Sequence, residues 1–381
     1  MLFEGPYLCY LFIEITIPCK GCGLQLMDEF RIDSHKLMYH VGRVGDWLKG
    51  VDVYPVYMEV SPIGACNHRC TYCGLDYMEY QARQLDHDLL VARLTEMGSL
   101  GVKSIMYAGE GEPFLHKSIP AIINHTKKSG IDVAVTSNGV LFTEKVFREC
   151  LASITWIKVS FNAGTAETYA RIHRTKEEDF EKVLRNITDA VKFREANKLS
   201  STIGMQMILL PENVHEAVLL ARKAKETGAD YLVIKSYSQH LKSKTRQYDG
   251  LKYSDFLYLN DELKKVSDSR FNVIFRFNAM TKLEEKKRSY EKCLAIPFWS
   301  YIDAGGGVWA CSAFLGDERF LMGNIRENTF EEIWKGEKRK RVMEFVMKEL
   351  DTSECRVNCR MDEVNRYLWE LKNPSLHVNF I

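Results

Sequence analysis

A chain of 381 residues is, at roughly 150 residues per domain, long enough for one large domain and a smaller one. With 46% hydrophobic and 27% charged residues it has an ordinary globular composition, which excludes a collagenous, low-complexity or largely disordered chain. Lysine plus arginine (52) balance aspartate plus glutamate (51), and a net charge of +1 gives no global pull toward nucleic acid and no acidic solvating tail.

Residues 1–26 carry Cys9, Cys19 and Cys22 and little periodicity, and are expected to be a poorly ordered part of an N-terminal extension over 1–52. The Cys19-Lys-Gly-Cys22 pair does not complete a tetrahedral metal site by itself. The apolar run 7–17 is short, is interrupted by Glu14 and follows no basic residue, so it makes a poor signal peptide. No stretch of ~18 apolar residues is present, so no membrane span is expected. A cytoplasmic location with reduced thiols is the corresponding expectation.

From Val53 to Ser238, short Val-, Ile- and Tyr-rich runs alternate with helical patterns. Strands are predicted at 56–60, 104–108, 132–136, 156–160, 203–210 and 231–234, with helices near 87–99, 116–129, 143–151, 177–196 and 213–227. In the fourth helix Phe180, Val183, Leu184, Ile187 and Val191 recur at helical spacing. Six βα units predict a parallel sheet curled into a partial (β/α)6 TIM-like barrel over 53–290, with its site at the C-terminal ends of the strands. Residues 241–292 are charged and mostly helical, broken by an apolar run at 271–277. Residues 291–381 hold four cysteines, a glycine run and two helical segments, and read as a small C-terminal α+β domain.

Eleven cysteines are too sparse for a disulfide scaffold, and an odd count argues against complete pairing. After the first predicted strand comes Gly64-Ala-Cys66-Asn-His-Arg-Cys70-Thr-Tyr-Cys73. Three thiolates on one short loop can wrap an iron–sulfur cluster and leave one iron without a protein ligand, open to bind a small molecule. Zinc, with His68 as a crowded fourth ligand, and unligated core cysteines are the alternatives. The motif resembles the CxxxCxφC signature of radical S-adenosylmethionine (SAM) enzymes, with Tyr72 as φ. The resemblance implies a [4Fe–4S] cluster on Cys66, Cys70 and Cys73. In that family the open iron chelates SAM, and the reduced cluster cleaves SAM to methionine and a 5′-deoxyadenosyl radical that abstracts hydrogen.

The next strand ends support it. Ala108-Gly109-Glu110-Gly111-Glu112-Pro113 resembles the family's GGEP motif, which contacts the SAM amino group, with Glu110 and Glu112 as candidates. Ser137 and Asn138 after the third strand, and Ser160 and Asn162 after the fourth, resemble the family's ribose and carboxylate contacts. Arg174 matches an arginine often found near the SAM carboxylate, with Arg171 as the alternative. The resemblance covers about residues 53–240.

Cys293 and Cys311 flank a predicted hairpin at 298–308, and Cys355 and Cys359 follow a helical stretch near 330–349. Four thiols suit a fully ligated cluster or a four-thiolate zinc site. The spacing of Cys293, Gly306 and Cys311, with Gly323-Asn-Ile and Glu332-Ile-Trp334, resembles the family's SPASM/twitch region. The closing CxxxC is shorter than a full SPASM run, which implies the twitch form with one auxiliary [4Fe–4S] cluster. Cys150, in an apolar helical pattern, reads as a buried hydrophobe.

A fully ligated cluster suits electron transfer. The resemblance therefore implies two-electron oxidation of a small hydroxylated substrate, such as a sugar or aminocyclitol, with a flavodoxin or ferredoxin as electron donor. Lys235, Tyr237 and His240 after the sixth strand, and Arg276 in the run at 271–277, are candidate bases. A ribosomal peptide substrate is the first alternative, weakly disfavoured because residues 27–52 are short for a peptide-binding wing. A non-catalytic iron–sulfur electron carrier is the second.

Overall fold

The computed structural model describes residues 31–32, 34–285 and 287–380. The expectations for residues 1–26, including Cys9, Cys19 and Cys22, lie outside the described residues. The six predicted strands form β1 (Tyr57–Val60), β2 (Ser104–Tyr107), β3 (Asp132–Ser137), β4 (Trp156–Ser160), β5 (Thr202–Leu209) and β6 (Tyr231–Ser236), each parallel to the next. The apolar run at 271–277 yields β7 (Asn272–Phe275), a seventh parallel strand beside β6. The C-terminal hairpin consists of β8 (Trp299–Ile302) and β9 (Gly307–Trp309), followed by β10 (Leu321–Asn324). Strand β8 also pairs in parallel with β1, so a ten-stranded sheet runs β10-β9-β8-β1-β2-β3-β4-β5-β6-β7 among the described residues. The cysteine-rich C-terminal region is thereby hydrogen-bonded to the barrel's first strand.

The helices are α1 (Val41–Leu48), α2 (His87–Ser99), α3 (Ile119–Lys128), α4 (Glu144–Cys150), α5 (Ala166–His173), α6 (Glu178–Ala196), α7 (Ala217–Glu226), α8 (Leu259–Lys264), α9 (Phe277–Glu285), α10 (Phe330–Lys335), α11 (Glu337–Lys348) and α12 (Asp362–Lys372). The stretch predicted as one helix near 330–349 breaks at Gly336, whose extended backbone ends α10 and starts α11. Helix α5 is absent from the sequence expectation; Thr165 caps it and its short Ala166-Glu-Thr-Tyr start follows closely on β4. Helix α1 packs Val44 and Trp47 against Leu294, Phe298 and Leu368, tying the N-terminal segment to α12.

Alternation along the strands creates two faces. Met58, Val60, Ile105, Tyr107, Val133, Val135, Ile157, Val159, Ile203, Met205, Leu232 and Ile234 share one buried core with the helices. The opposite face starts with apolar residues near the strands' N-terminal ends: Tyr57, Met106, Ala134 and Trp156 in one cluster, and Tyr231, Val233 and Ile274 with Ile32 in another. The other inward positions are Glu59, in register with Met106, and Lys158, Ser160, Gln206 and Lys235.

Candidate functional site

The loop carrying Cys66, Cys70 and Cys73 leaves β1 and is gripped from both sides. Arg69 and Thr71 donate their backbone N–H groups to the carbonyls of His173 and Ile172 at the end of α5 (3.1 and 2.8 Å). On the other side Glu112 N–H donates to the Ala65 carbonyl (2.8 Å). Gly111 makes that approach possible: its φ is +72°, and a Cβ there would stand 2.1 Å from the Ile63 carbonyl oxygen and 2.6 Å from that of Ala65. Gly109, at φ +107°, similarly admits the Tyr301 hydroxyl, to which Glu110 N–H donates at 3.1 Å.

The polar strand ends converge on this loop. Asn138 Nδ2 donates to Asn67 Oδ1 between Cys66 and Cys70 (2.7 Å), and Asn162 Nδ2 donates to the Tyr72 hydroxyl (2.6 Å). Asn162 sits at φ +62°, fully buried, with Oδ1 accepting from Ile208 N–H (2.7 Å). Glu112 is buried and accepts from Ser137 Oγ (2.7 Å), Asn138 N–H (2.8 Å) and Phe114 N–H (3.2 Å). Glu110 is buried too, and accepts from Arg83 (3.0 Å) and Ala304 N–H (2.7 Å). Both carboxylates are thus already engaged by the chain, and an ammonium ligand would share their remaining lone pairs. Ser160 Oγ accepts from Gln206 Nε2 (3.4 Å). Arg174 is exposed, with left-handed backbone at φ +48°, and Arg171 is exposed as well, so neither is enclosed with the loop.

His173 was missed by sequence reasoning. It is fully buried at the end of α5, where burial and neighbouring His68 push its pKa down to about 3. Its Nε2 donates to the Phe161 carbonyl (2.8 Å), which leaves Nδ1 to face Cys70 Sγ at 3.3 Å. The ligand atoms of His68, Cys70 and His173 lie within 4.8 Å of one another, the zinc-like alternative in structural form. That trio competes with the three-thiol set for Cys70.

The donor chemistry fits iron–sulfur. All seven candidate cysteines are free thiols. Burial, the Glu112 charge and the Cys73 sulfur push Cys66 up to about 12, and burial with both partner sulfurs raises Cys70. In the second set burial raises Cys293 to about 11 and Cys355 to about 12, and it raises Cys311 and Cys359 as well. Burial and then the neighbouring Cys359, Cys293 and Cys355 sulfurs push Cys311 up, and Cys293, Cys311 and Cys359 pack against one cluster of Ala295, Trp299 and Met361. Thiols arranged in this way ionise when cationic iron joins them. Asn365 holds the second set in place: its Oδ1 accepts from Leu294 and Ala295 N–H (2.7 and 2.9 Å) and its Nδ2 lies 3.5 Å from Cys293 Sγ. Cys150 belongs to neither set; it is buried in α4 and donates to the Val146 carbonyl (3.2 Å).

Two arginines beside the second cysteine set reach the barrel strands and the loop beyond β6. Arg360, next to Cys359, pairs with Glu59 of β1 at 2.5 Å and donates to the Tyr57 hydroxyl (2.9 Å). Arg356, next to Cys355, donates to Ser238 Oγ (3.0 Å) beyond β6. Burial, then Arg360 and Arg276, push Lys158 down to about 8. Burial, then Lys158, Arg276, Arg360 and Arg356, hold Lys235 well below the usual lysine range. Of the other base candidates, Tyr237 donates to Gln239 Oε1 (3.2 Å). His240 is buried, stacks on Tyr77 (5.2 Å) and accepts at Nδ1 from Lys242 N–H (3.2 Å). Its ring lies toward the Ser312 backbone, yet Nε2 makes no hydrogen bond. Glu59, Lys158 and Arg360 escaped sequence reasoning, although a lone charge inside each apolar strand, Met58-Glu59-Val60 and Ile157-Lys158-Val159, was a readable signal.

The model of the radical SAM superfamily matches residues 60–224, and that of an iron–sulfur cluster-binding (SPASM) domain matches 293–360. The chain belongs to the radical SAM superfamily and carries a C-terminal SPASM-type region; it is a radical SAM enzyme. Its cofactors are accordingly a [4Fe–4S] cluster, SAM and auxiliary iron–sulfur. It is 24% identical over 300 residues to the tungsten-containing aldehyde ferredoxin oxidoreductase cofactor-modifying protein of Pyrococcus furiosus, covering 74% of this chain and 81% of that one. It is 25% identical over 288 residues to the AdoMet-dependent heme synthase of Methanosarcina barkeri, covering 71% and 79%. Its fold resembles that of Streptococcus suis SuiB bound to S-adenosylmethionine, with a TM-score of 0.60, 16% identity and coverage of 79% and 70%. No described helix is long and apolar enough to cross a membrane.

Proposed function

We propose that this enzyme oxidises a small, hydroxylated molecule held inside the barrel, between the loop of Cys66, Cys70 and Cys73 and the set of Cys293, Cys311, Cys355 and Cys359. The observation that carries this reading is the convergence of strand ends on the first cysteine loop, through Asn138 to Asn67, Asn162 to Tyr72 and Glu112 to Ala65. When bound, the cofactors supply a 5′-deoxyadenosyl radical that takes hydrogen from substrate and an acceptor for the electron left behind.

The chain's residues do the rest. Gly109, Gly111 and Glu112 shape the ammonium side of the SAM site, and Ser137, Asn138, Ser160 and Asn162 line its sugar side. Tyr72 orients the loop through Asn162. Arg174 lies outside the enclosed site in this reading. His240 is neutral near pH 7, because burial with Arg356 pushes its pKa down to about 4; with Nδ1 accepting from Lys242 N–H its proton sits on Nε2, so it offers the substrate a hydrogen bond and the substrate proton passes to water. Loss of hydrogen, a proton and an electron leaves a two-electron-oxidised product. A flavodoxin- or ferredoxin-type protein supplies the electron that SAM cleavage consumes. The division of the chain near residue 290 into barrel and auxiliary region is part of the same proposal.

Anaerobic reconstitution followed by reduction with SAM tests this reading. Deoxyadenosine formation and about eight irons per chain, four for each cluster, are expected. About four irons with bound zinc, or no deoxyadenosine, would remove it. Assay of product from hydroxylated small molecules against peptides separates the substrate classes.

A further inference from the structure

Lys158 and Lys235 stand out among the inward residues. Neither ammonium has a hydrogen-bond or ion-pair partner among the described residues, and Lys158 has only the face of Trp156 at 5.5 Å. Arg356 and Arg360 reach the same space from the C-terminal cysteine loop. The carboxylate facing them, Glu59, is already bonded to Arg360. Cations concentrated this way repel one another, and burying an unpaired charge costs several kcal/mol, so the arrangement is unfavourable for the empty fold.

There is also room. Glu59 is on the barrel's inner face with 3% of its side chain exposed, yet Arg360, bonded to it, keeps 47% of its side chain open. Arg360 thus keeps open surface while its guanidinium is bonded to two inner-face residues of β1, Glu59 and Tyr57. Lys158 and Lys235 are likewise only half-buried although they project from central strands.

We propose that this inner face binds a small molecule carrying two or more negative charges, carboxylate or phosphate, against Lys158 and Lys235 and beneath Arg356 and Arg360. The inference rests on the radical reading above and narrows its substrate: the hydroxylated molecule is an organic acid or a phosphate ester rather than a neutral sugar or a cationic aminocyclitol. The anion also lies where each cysteine set can be reached, because Arg356 and Arg360 flank Cys355 and Cys359 in sequence while Lys158 is two residues before the candidate SAM contact Ser160.

Calorimetric titration of the reconstituted, oxidised and SAM-saturated enzyme tests it, because binding needs no turnover. The probes are inorganic tripolyphosphate, citrate and the neutral polyol scyllo-inositol. At least one anion should bind roughly tenfold or more tightly than inositol, one ion pair's worth of ~1.4 kcal/mol, and the tripolyphosphate and citrate arms decide between phosphate and carboxylate. Lys158→Met and Lys235→Met should each weaken that binding by about tenfold. Both should hold or raise the melting temperature, by roughly 2–4 °C for each kcal/mol of relieved repulsion. Lys235→Arg should restore binding in part. Equal binding of inositol, or loss of anion binding once SAM is saturating, would overturn the inference; the latter would assign the cations to the SAM carboxylate. Met variants that melt lower and bind anions normally would overturn it too, by making the lysines structural. Failure of deoxyadenosine formation with anion binding intact would instead strike the radical reading alone.

Discussion

The two cysteine sets solve the same problem with different amounts of chain. The first places Cys66, Cys70 and Cys73 within eight consecutive residues of one loop. The second collects Cys293 and Cys311 from either side of a hairpin and Cys355 and Cys359 from a loop before α12. Local spacing alone brings the first three sulfurs together. The second four meet because β8 pairs with β1 and Asn365 of α12 pins the segment at Leu294 and Ala295. A set of three leaves an iron open for chemistry, whereas a set of four closes the cluster, so the difference in wrapping is also a difference in role.

The sharpest break in that comparison is Cys70→Ala. Deoxyadenosine formation should fall to background, and iron should drop from about eight to about four per chain, leaving the second cluster's spectrum. Cys359→Ala should produce the complementary loss: about four irons again, with reductive SAM cleavage still measurable but no oxidised product. If each variant abolishes both signals, the sets are not separable and the division of roles fails.

The supports should give smaller effects. Gly111→Ala puts a Cβ against the Ile63 carbonyl at positive φ and should cost about 2 kcal/mol or more, read as a lower melting temperature and faster loss of iron from the first set under chelator. Asn365→Ala leaves two buried N–H groups without their acceptor, a loss of about 1–3 kcal/mol, and should speed iron release from the second set alone. Iron release from the opposite set in either variant would show that the supports are shared.

Much of this was legible beforehand, for identifiable reasons. The alternation of Val- and Ile-rich runs with helical stretches is a local property, so the six parallel strands emerged in the predicted order. The CxxxCxxC loop and the Gly-Glu-Gly-Glu-Pro turn are local too. Strand β7 was passed over because a short apolar run between charged helices has no periodicity of its own, and only the open edge of β6 makes it a strand. His173 was invisible because its importance comes from α5 folding back over the cysteine loop. The carboxylates Glu110 and Glu112 could be picked out from their turn, but their bonds to Arg83, Ala304, Ser137 and Asn138 are tertiary.

By itself the amino-acid order determined the class of chemistry, because three thiols on one tight loop need nothing from the rest of the chain to share a cluster. What surrounds the reacting molecule was left to the tertiary structure. Glu59, Lys158, Lys235, Arg356 and Arg360 are spread over some three hundred residues, and only the closing of the sheet, with β8 beside β1, sets their charges against one another. Electrostatic interaction depends on distance and local dielectric rather than on sequence separation, so the charge of the barrel's interior could be read only once the strands were in place.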